Sequence, residues 1–265
     1  MFRTIVFTSC LVGLFAGLVM TGLQLVMTVP IILEAETYEG DGHTHAGQTG
    51  VGEGASTKSG GLLDRLYQNF YDFQHAESEW EPAAGWQRSS STLVANIVVA
   101  IAFSLLLVAV FSLRPGVQWT EGVLWGLGGY AAFFVLPAVG LPPGIPGNFA
   151  ADLVSRQGWW LLTVTCSGVG LAMIVLHKQG AWKIAGTVLV VVPHVIGAPQ
   201  SEVHGGTAPA ALADTFIWRT AIVNAVFWLL LGGMGAWALN KLTRRTDPSE
   251  TSGQSAGDPL DHHHG

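Results

Sequence analysis

Apolar residues along this chain come in long unbroken runs, not at the alternating or three-to-four spacing of elements half exposed to water. The first run, Thr4 to Leu33, is interrupted mainly by Gln24. Thr92–Leu113, Val117–Val139, Trp159–Leu176, Trp182–Ile196 and Phe216–Leu239 follow. Runs near 20 residues match what a helix needs to cross a hydrocarbon core about 30 Å thick. The pattern predicts an all-α membrane protein with six transmembrane helices, at about 4–33, 92–113, 117–139, 159–176, 182–198 and 216–239. The fifth run is the weakest, being short and ending at Pro193; if it does not span, the count is five. The first run exceeds the apolar core of about 7–15 residues in a cleaved signal peptide, so we read it as a retained helix.

Between the first two runs lies an acidic loop, 34–88, with ten acids and three bases. Its Gly/Ser/Thr-rich part, Gly40 to Gly61, reads as flexible, and Leu62 to His75 reads as a short amphipathic helix resting on the interface. Residues 1–241 form the transmembrane domain, and 242–265 a polar tail expected to be disordered. Basic residues set the orientation. Arg3, Arg114, Lys178, Lys183, Lys241, Arg244 and Arg245 fall on one side of a six-span topology. That side is expected to be cytoplasmic, with both termini, in a prokaryotic cytoplasmic membrane, and the acidic loop outside. The outward spans carry Pro30, Pro137 and Pro193 near their outer ends, and the returning spans begin near Arg88, Arg156 and Arg219 beside tryptophan. This reads as three tandem helical hairpins; the simpler reading is that prolines end helices and tryptophans mark interfaces.

Only 11% of the 265 residues are charged and 49% are hydrophobic, against about 25% charged in soluble domains. The net charge of −6 gathers in the loop and excludes nucleic acid as a partner; the lipid bilayer is the first partner. Cys10 and Cys166 sit inside apolar runs, as small packing residues. There is no Walker-type loop, His-Glu-x-x-His, Cys-x-x-Cys or Gly-x-Ser-x-Gly, so no residue set argues for an enzyme and no cofactor is expected.

Candidate chemistry centres on Val192 to Thr207. There the fifth run meets a proline, delivers His194, breaks at Gly197 and Pro199, and is followed by Glu202 and His204. Ionisable groups at a membrane segment point to function. Glu34 and Glu36 leave the first run on the same expected side. Imidazole with carboxylate suits borderline divalent ions such as Co2+, Ni2+ and Zn2+. The ordinary reading makes the acids interfacial and His194 a satisfied helix-end histidine. His43-x-His45 reads as a weak metal collector or as solvated loop. His262 to His264 read as an inner metal site, as a tag remnant, or as nothing. Gly13-x-x-x-Gly17 and Gly122-x-x-x-Gly126 are packing signals. Gln24, Asn96 and Asn224 are expected to make interhelical hydrogen bonds, with lining a pathway the lesser reading.

Several stretches carry a resemblance: Pro30-Ile-Ile-Leu-Glu34-Ala-Glu36-Thr-Tyr38-Glu39, Leu141-Pro142-Pro143 with Pro146-Gly147, Arg156-Gln157 with Trp159-Trp160, and Pro193-His194-Val195-Ile196-Gly197-Ala198-Pro199. Together they resemble the CbtA family of predicted cobalt transporter subunits. The resemblance implies a membrane subunit of a cobalt uptake system and a small single-helix, histidine-bearing partner of the CbtB type. It also implies a glutamate after the paired prolines, where this chain has Gly144. On this reading His194, Glu34, Glu36, Glu202, His204, His43 and His45 would gather and dehydrate the ion. The rival is a non-transporting membrane scaffold whose outer charges dock a partner protein; a haem-binding membrane enzyme is a more distant alternative.

Overall fold

The structure, a computed structural model, describes residues 2–42, 85–114, 116–201 and 205–246. Every named element in them is a helix: α1 Phe2–Met27, α2 Val29–Gly42, α3 Trp86–Ser112, α4 Trp119–Gly140, α5 Leu153–Leu176, α6 Gly180–Ile196 and α7 Ala210–Thr246. Five of these, α1, α3, α4, α5 and α7, are long and apolar enough to cross a membrane. With 17 residues, α6 rises about 25 Å, slightly less than the hydrocarbon thickness. Large apolar side chains point outward on every long helix, among them Val98, Leu124 and Ile184, each at least 60% exposed. Lipid is the solvent that such a surface suits.

The helices overrun the apolar stretches. Residues 34–42, read as the start of a loop, continue the helix as α2, and α3 begins at Trp86, inside that expected loop. Residues 242–246, read as the start of the tail, complete α7. A helix needs no apolar side chains where its outer turns meet water, so hydropathy underestimates its length. The expected amphipathic helix at 62–75 and the tail beyond 246 lie outside the described residues.

Small residues decide which helices meet. On α1, Ser9, Gly13, Gly17 and Thr21 stack at four-residue spacing and are all buried. A Cβ added at Gly13 would stand 2.5 Å from the Ile101 Cα of α3, and one at Gly17 would stand 2.7 Å from the Ile97 Cα. The two backbones therefore nearly touch. On α4, Gly122 and Gly126 meet Gly232 and Ala236 of α7, while Gly129 leaves room for the Trp228 ring. Gly170 of α5 and Gly186 of α6 face each other in the same way.

These contacts correct the expected three tandem hairpins. α1 pairs with α3, and α5 with α6, but α4 packs chiefly against α7, which also lies along α1. The matching glycine faces of α4 and α7 override chain adjacency. The buried core, with Val12, Phe111, Phe227, Trp228 and Leu231, accordingly joins α1, α3, α4 and α7. The α5–α6 pair attaches to it mainly through the second half of α4.

Candidate functional site

One end of the bundle gathers the candidate residues, and prolines shape it. Pro30 lacks an amide hydrogen, and the Ile31 amide bonds to Thr28 O instead of continuing the α1 ladder. The chain turns at Thr28, and Met27 O, left without an intrahelical donor, accepts from Arg219 Nη1 of α7 at 3.0 Å. Pro137 likewise removes a donor from α4, and the helix widens into a π-turn at Ala131–Val135. Pro193 sits in the last turn of α6, where its carbonyl accepts from the Gly197 amide at 3.1 Å and Trp159 Nε1 at 3.2 Å. Gly197 then ends α6 at φ +89°.

The exits of α4 and α6 are tied together. A Cβ on Gly140 would collide with Trp159 and approach Ala198 to 3.0 Å. Beyond, Phe149 N donates to Gly205 O and Thr207 N to Gly147 O, both at 3.1 Å. Ile145 packs with Ile31 and Ala35 of α2 and Phe216 of α7. The loop after α4 therefore links the α5–α6 side to the α1–α2–α7 side.

His194 lies in this end, its ring centroid 6.0 Å from that of Trp159. Both ring nitrogens are buried, and among the described residues neither has a hydrogen-bond partner. Among the described residues, the His194 nitrogens lack the partners that a satisfied helix-end histidine would have. Glu36, on α2, accepts a hydrogen bond from Arg88 Nη2 of α3 at 2.5 Å. That guanidinium holds its carboxyl below the usual glutamate range. Glu34, one residue off the buried Ile31–Ala35 face, is exposed. Glu202, His204, His43, His45, His75 and His262 to His264 lie outside the described residues. Among the described residues no three His, Cys, Asp or Glu form a group that could hold a metal ion.

Sequence reasoning missed a cavity of about 430 Å3 between α1, α2, α3 and α7. Its lining is mostly apolar, with Leu25, Val29, Ile32, Leu33, Phe216 and Val223, and Gln24, Thr28, Arg88, Thr92 and Asn224 supply polar groups to it. Beside it Asn96 Nδ2 donates to Gln24 Oε1 at 2.6 Å and to Thr21 Oγ1 at 3.0 Å, the interhelical bonding expected of that asparagine. Asn224 instead donates to the Thr220 carbonyl of its own helix. The signal was present as three amides in apolar runs, but which helices would face one another was not.

Neither a curated protein nor a solved structure matches this chain. The sequence model of one family, described as probable cobalt transporter subunit (CbtA), matches residues 2–240. That match takes in all the helices that form the bundle and both sides of its polar end, and on it this membrane protein belongs to the CbtA family.

Proposed function

We propose that this chain is the membrane subunit of a divalent metal uptake system, with cobalt as its ion and with no catalytic role. Family membership supports the transport class. The observation that supports a metal role for this chain is His194, whose two ring nitrogens are buried and, among the described residues, unpaired. An unpaired buried polar group costs about 1–3 kcal/mol, and a passing metal ion is a partner that would offset it. Imidazole also suits cobalt, nickel and zinc better than magnesium or calcium.

In this reading Glu34, Glu36, Glu202 and His204 flank His194 at an outer mouth, and His43 and His45 collect ions before it. The membrane is the prokaryotic cytoplasmic one, with both termini inside. A small single-helix CbtB-type subunit is the expected partner. The membrane potential contributes about 2.3 kcal/mol per charge per 100 mV, and twice that for a divalent ion.

Cobalt accumulation in cells expressing the chain with its partner tests the proposal. Wild type should accumulate cobalt, and His194→Ala should lower the initial rate at least tenfold. Equal rates would remove His194 from the path. No accumulation with the partner present would favour a membrane scaffold.

A further inference from the structure

The cavity between α1, α2, α3 and α7 has the walls of a hydrocarbon site. Leu25, Val29, Ile32 and Leu33 line it from α1 and α2, and Phe216 from α7. Leu25 and Leu33 are also 44% and 49% exposed, so the lining continues onto the surface that faces lipid. Along α1 it runs from Thr21 to Thr28, about 10 Å of helix axis and so about a third of the hydrocarbon thickness. An apolar cavity of about 150 Å3 holds a benzene-sized molecule, and this one offers about 430 Å3. Left empty, its walls would forfeit their dispersion contacts.

Its polar end is cationic. Arg88 is the one charged residue in the lining among the described residues, in the first turn of α3 beside Gly85 and Ser89. It stands four residues before the apolar run opens at Thr92, about 6 Å along the helix. Nearby Trp86 is 82% exposed, and tryptophan collects at headgroup depth. Arg88 Nη2 donates to Glu36 Oε1 at 2.5 Å, which holds the guanidinium between α2 and α3. A guanidinium presents five donors in a fork suited to phosphate, and the start of α3 adds the positive end of its dipole. An apolar slot within one leaflet, with a cation at headgroup depth, complements a phospholipid in both parts. Free phosphate or a simple hydrocarbon would match only one of them.

We propose that this cavity is a phospholipid site, with one acyl chain lying along Leu25, Val29 and Leu33 and the phosphate held by Arg88 at the start of α3. Glu36 shares that guanidinium and repels the phosphate, so it lowers the affinity without changing the fit. The lipid fills the space left where the chain turns at Thr28. The site is independent of the uptake reading, and uptake measurements do not bear on it.

The test uses the purified full chain in detergent and counts bound lipid by native mass spectrometry during titration. Phosphatidylglycerol and phosphatidylethanolamine should each show one tight molecule per chain, and diacylglycerol, which lacks the phosphate, should bind at least tenfold more weakly. Arg88→Gln should weaken phosphatidylglycerol binding at least tenfold, with Arg88→Lys restoring part of it, and Glu36→Gln should tighten it severalfold. Val29→Trp, which fills the cavity, should remove the tight molecule, whereas Val98→Trp on the lipid-facing side of α3 should leave it. A tight molecule that survives both Arg88→Gln and Val29→Trp, or diacylglycerol bound as tightly as phosphatidylglycerol, would overturn the site. Displacement of the lipid by millimolar inorganic phosphate would assign the cation to a free anion and overturn it too. So would a dimer whose formation expels the lipid, since the occupant would then be a second copy of the chain.

Discussion

Gly13→Ala is the sharpest test of how α1 and α3 are held. The new methyl carbon would stand 2.5 Å from Ile101 Cα and 2.7 Å from Ile101 N and Cγ1. Ordinary carbon contacts begin near about 3.5 Å. Two of the three atoms belong to backbone, so no side-chain rotation relieves the overlap, and α3 must retreat by about 1 Å. One turn on, Gly17 meets Ile97 in the same way, so the retreat opens both contacts. Overpacking of this kind costs about 1–3 kcal/mol. Alanine's better helix propensity, about 0.8–1.0 kcal/mol, works against that cost and must be cancelled. Gly22→Ala provides the control, because it lies in the same helix and its added Cβ would meet nothing within 4 Å. The difference between the two variants is then the steric cost alone. At about 2–4 °C per kcal/mol for a chain of this size, Gly13→Ala should melt about 2–12 °C below Gly22→Ala in the same detergent. If the two unfold together, the close approach of α1 and α3 is wrong.

Two further predictions concern the polar end. Trp159→Phe removes the donor to Pro193 O and should cost about 1–3 kcal/mol, the penalty for a weakened buried hydrogen bond plus the smaller ring; thermal unfolding should show it, and cobalt uptake should fall as the neighbouring His194 loses its wall. The Glu36–Arg88 pair makes stability depend on acid pH. Because the folded carboxyl lies below its ordinary value near 4.5, its contribution is fully present above that value and is lost as pH falls through the lower folded one. Both side chains are more than a third exposed or close to it, so the loss should stay within about 0.2–1 kcal/mol, and a pH series of Glu36→Gln against wild type should show it missing in the variant.

The class of fold was legible because hydropathy is a one-dimensional signal: runs near 20 residues report a helix in lipid wherever its neighbours are. Pro30, Pro137 and Pro193 likewise announced where helices lose their ladders, since a missing amide hydrogen is a local fact. What replaces each lost bond was not local. Met27 O is capped by an arginine 192 residues away, α4 absorbs its proline by widening, and Pro193 is clamped by a tryptophan on α5. The same residue type in three similar positions led to three different solutions, so the apparent repeat misled about packing.

Pairing was hidden for the same reason. Gly122-x-x-x-Gly126 declares a surface that admits a close neighbour, but not which neighbour. Chain order favours α5, whereas Gly232 and Ala236 give α7 the complementary face. That choice has a consequence at the polar end. With α7 packed against both α1 and α4, Arg219, Thr220 and Asn224 are brought to the break in α1. The α5–α6 pair, left at the side of α4, carries His194. Two chemically distinct places thus arise at one end, an imidazole on one side and a mostly apolar cavity on the other.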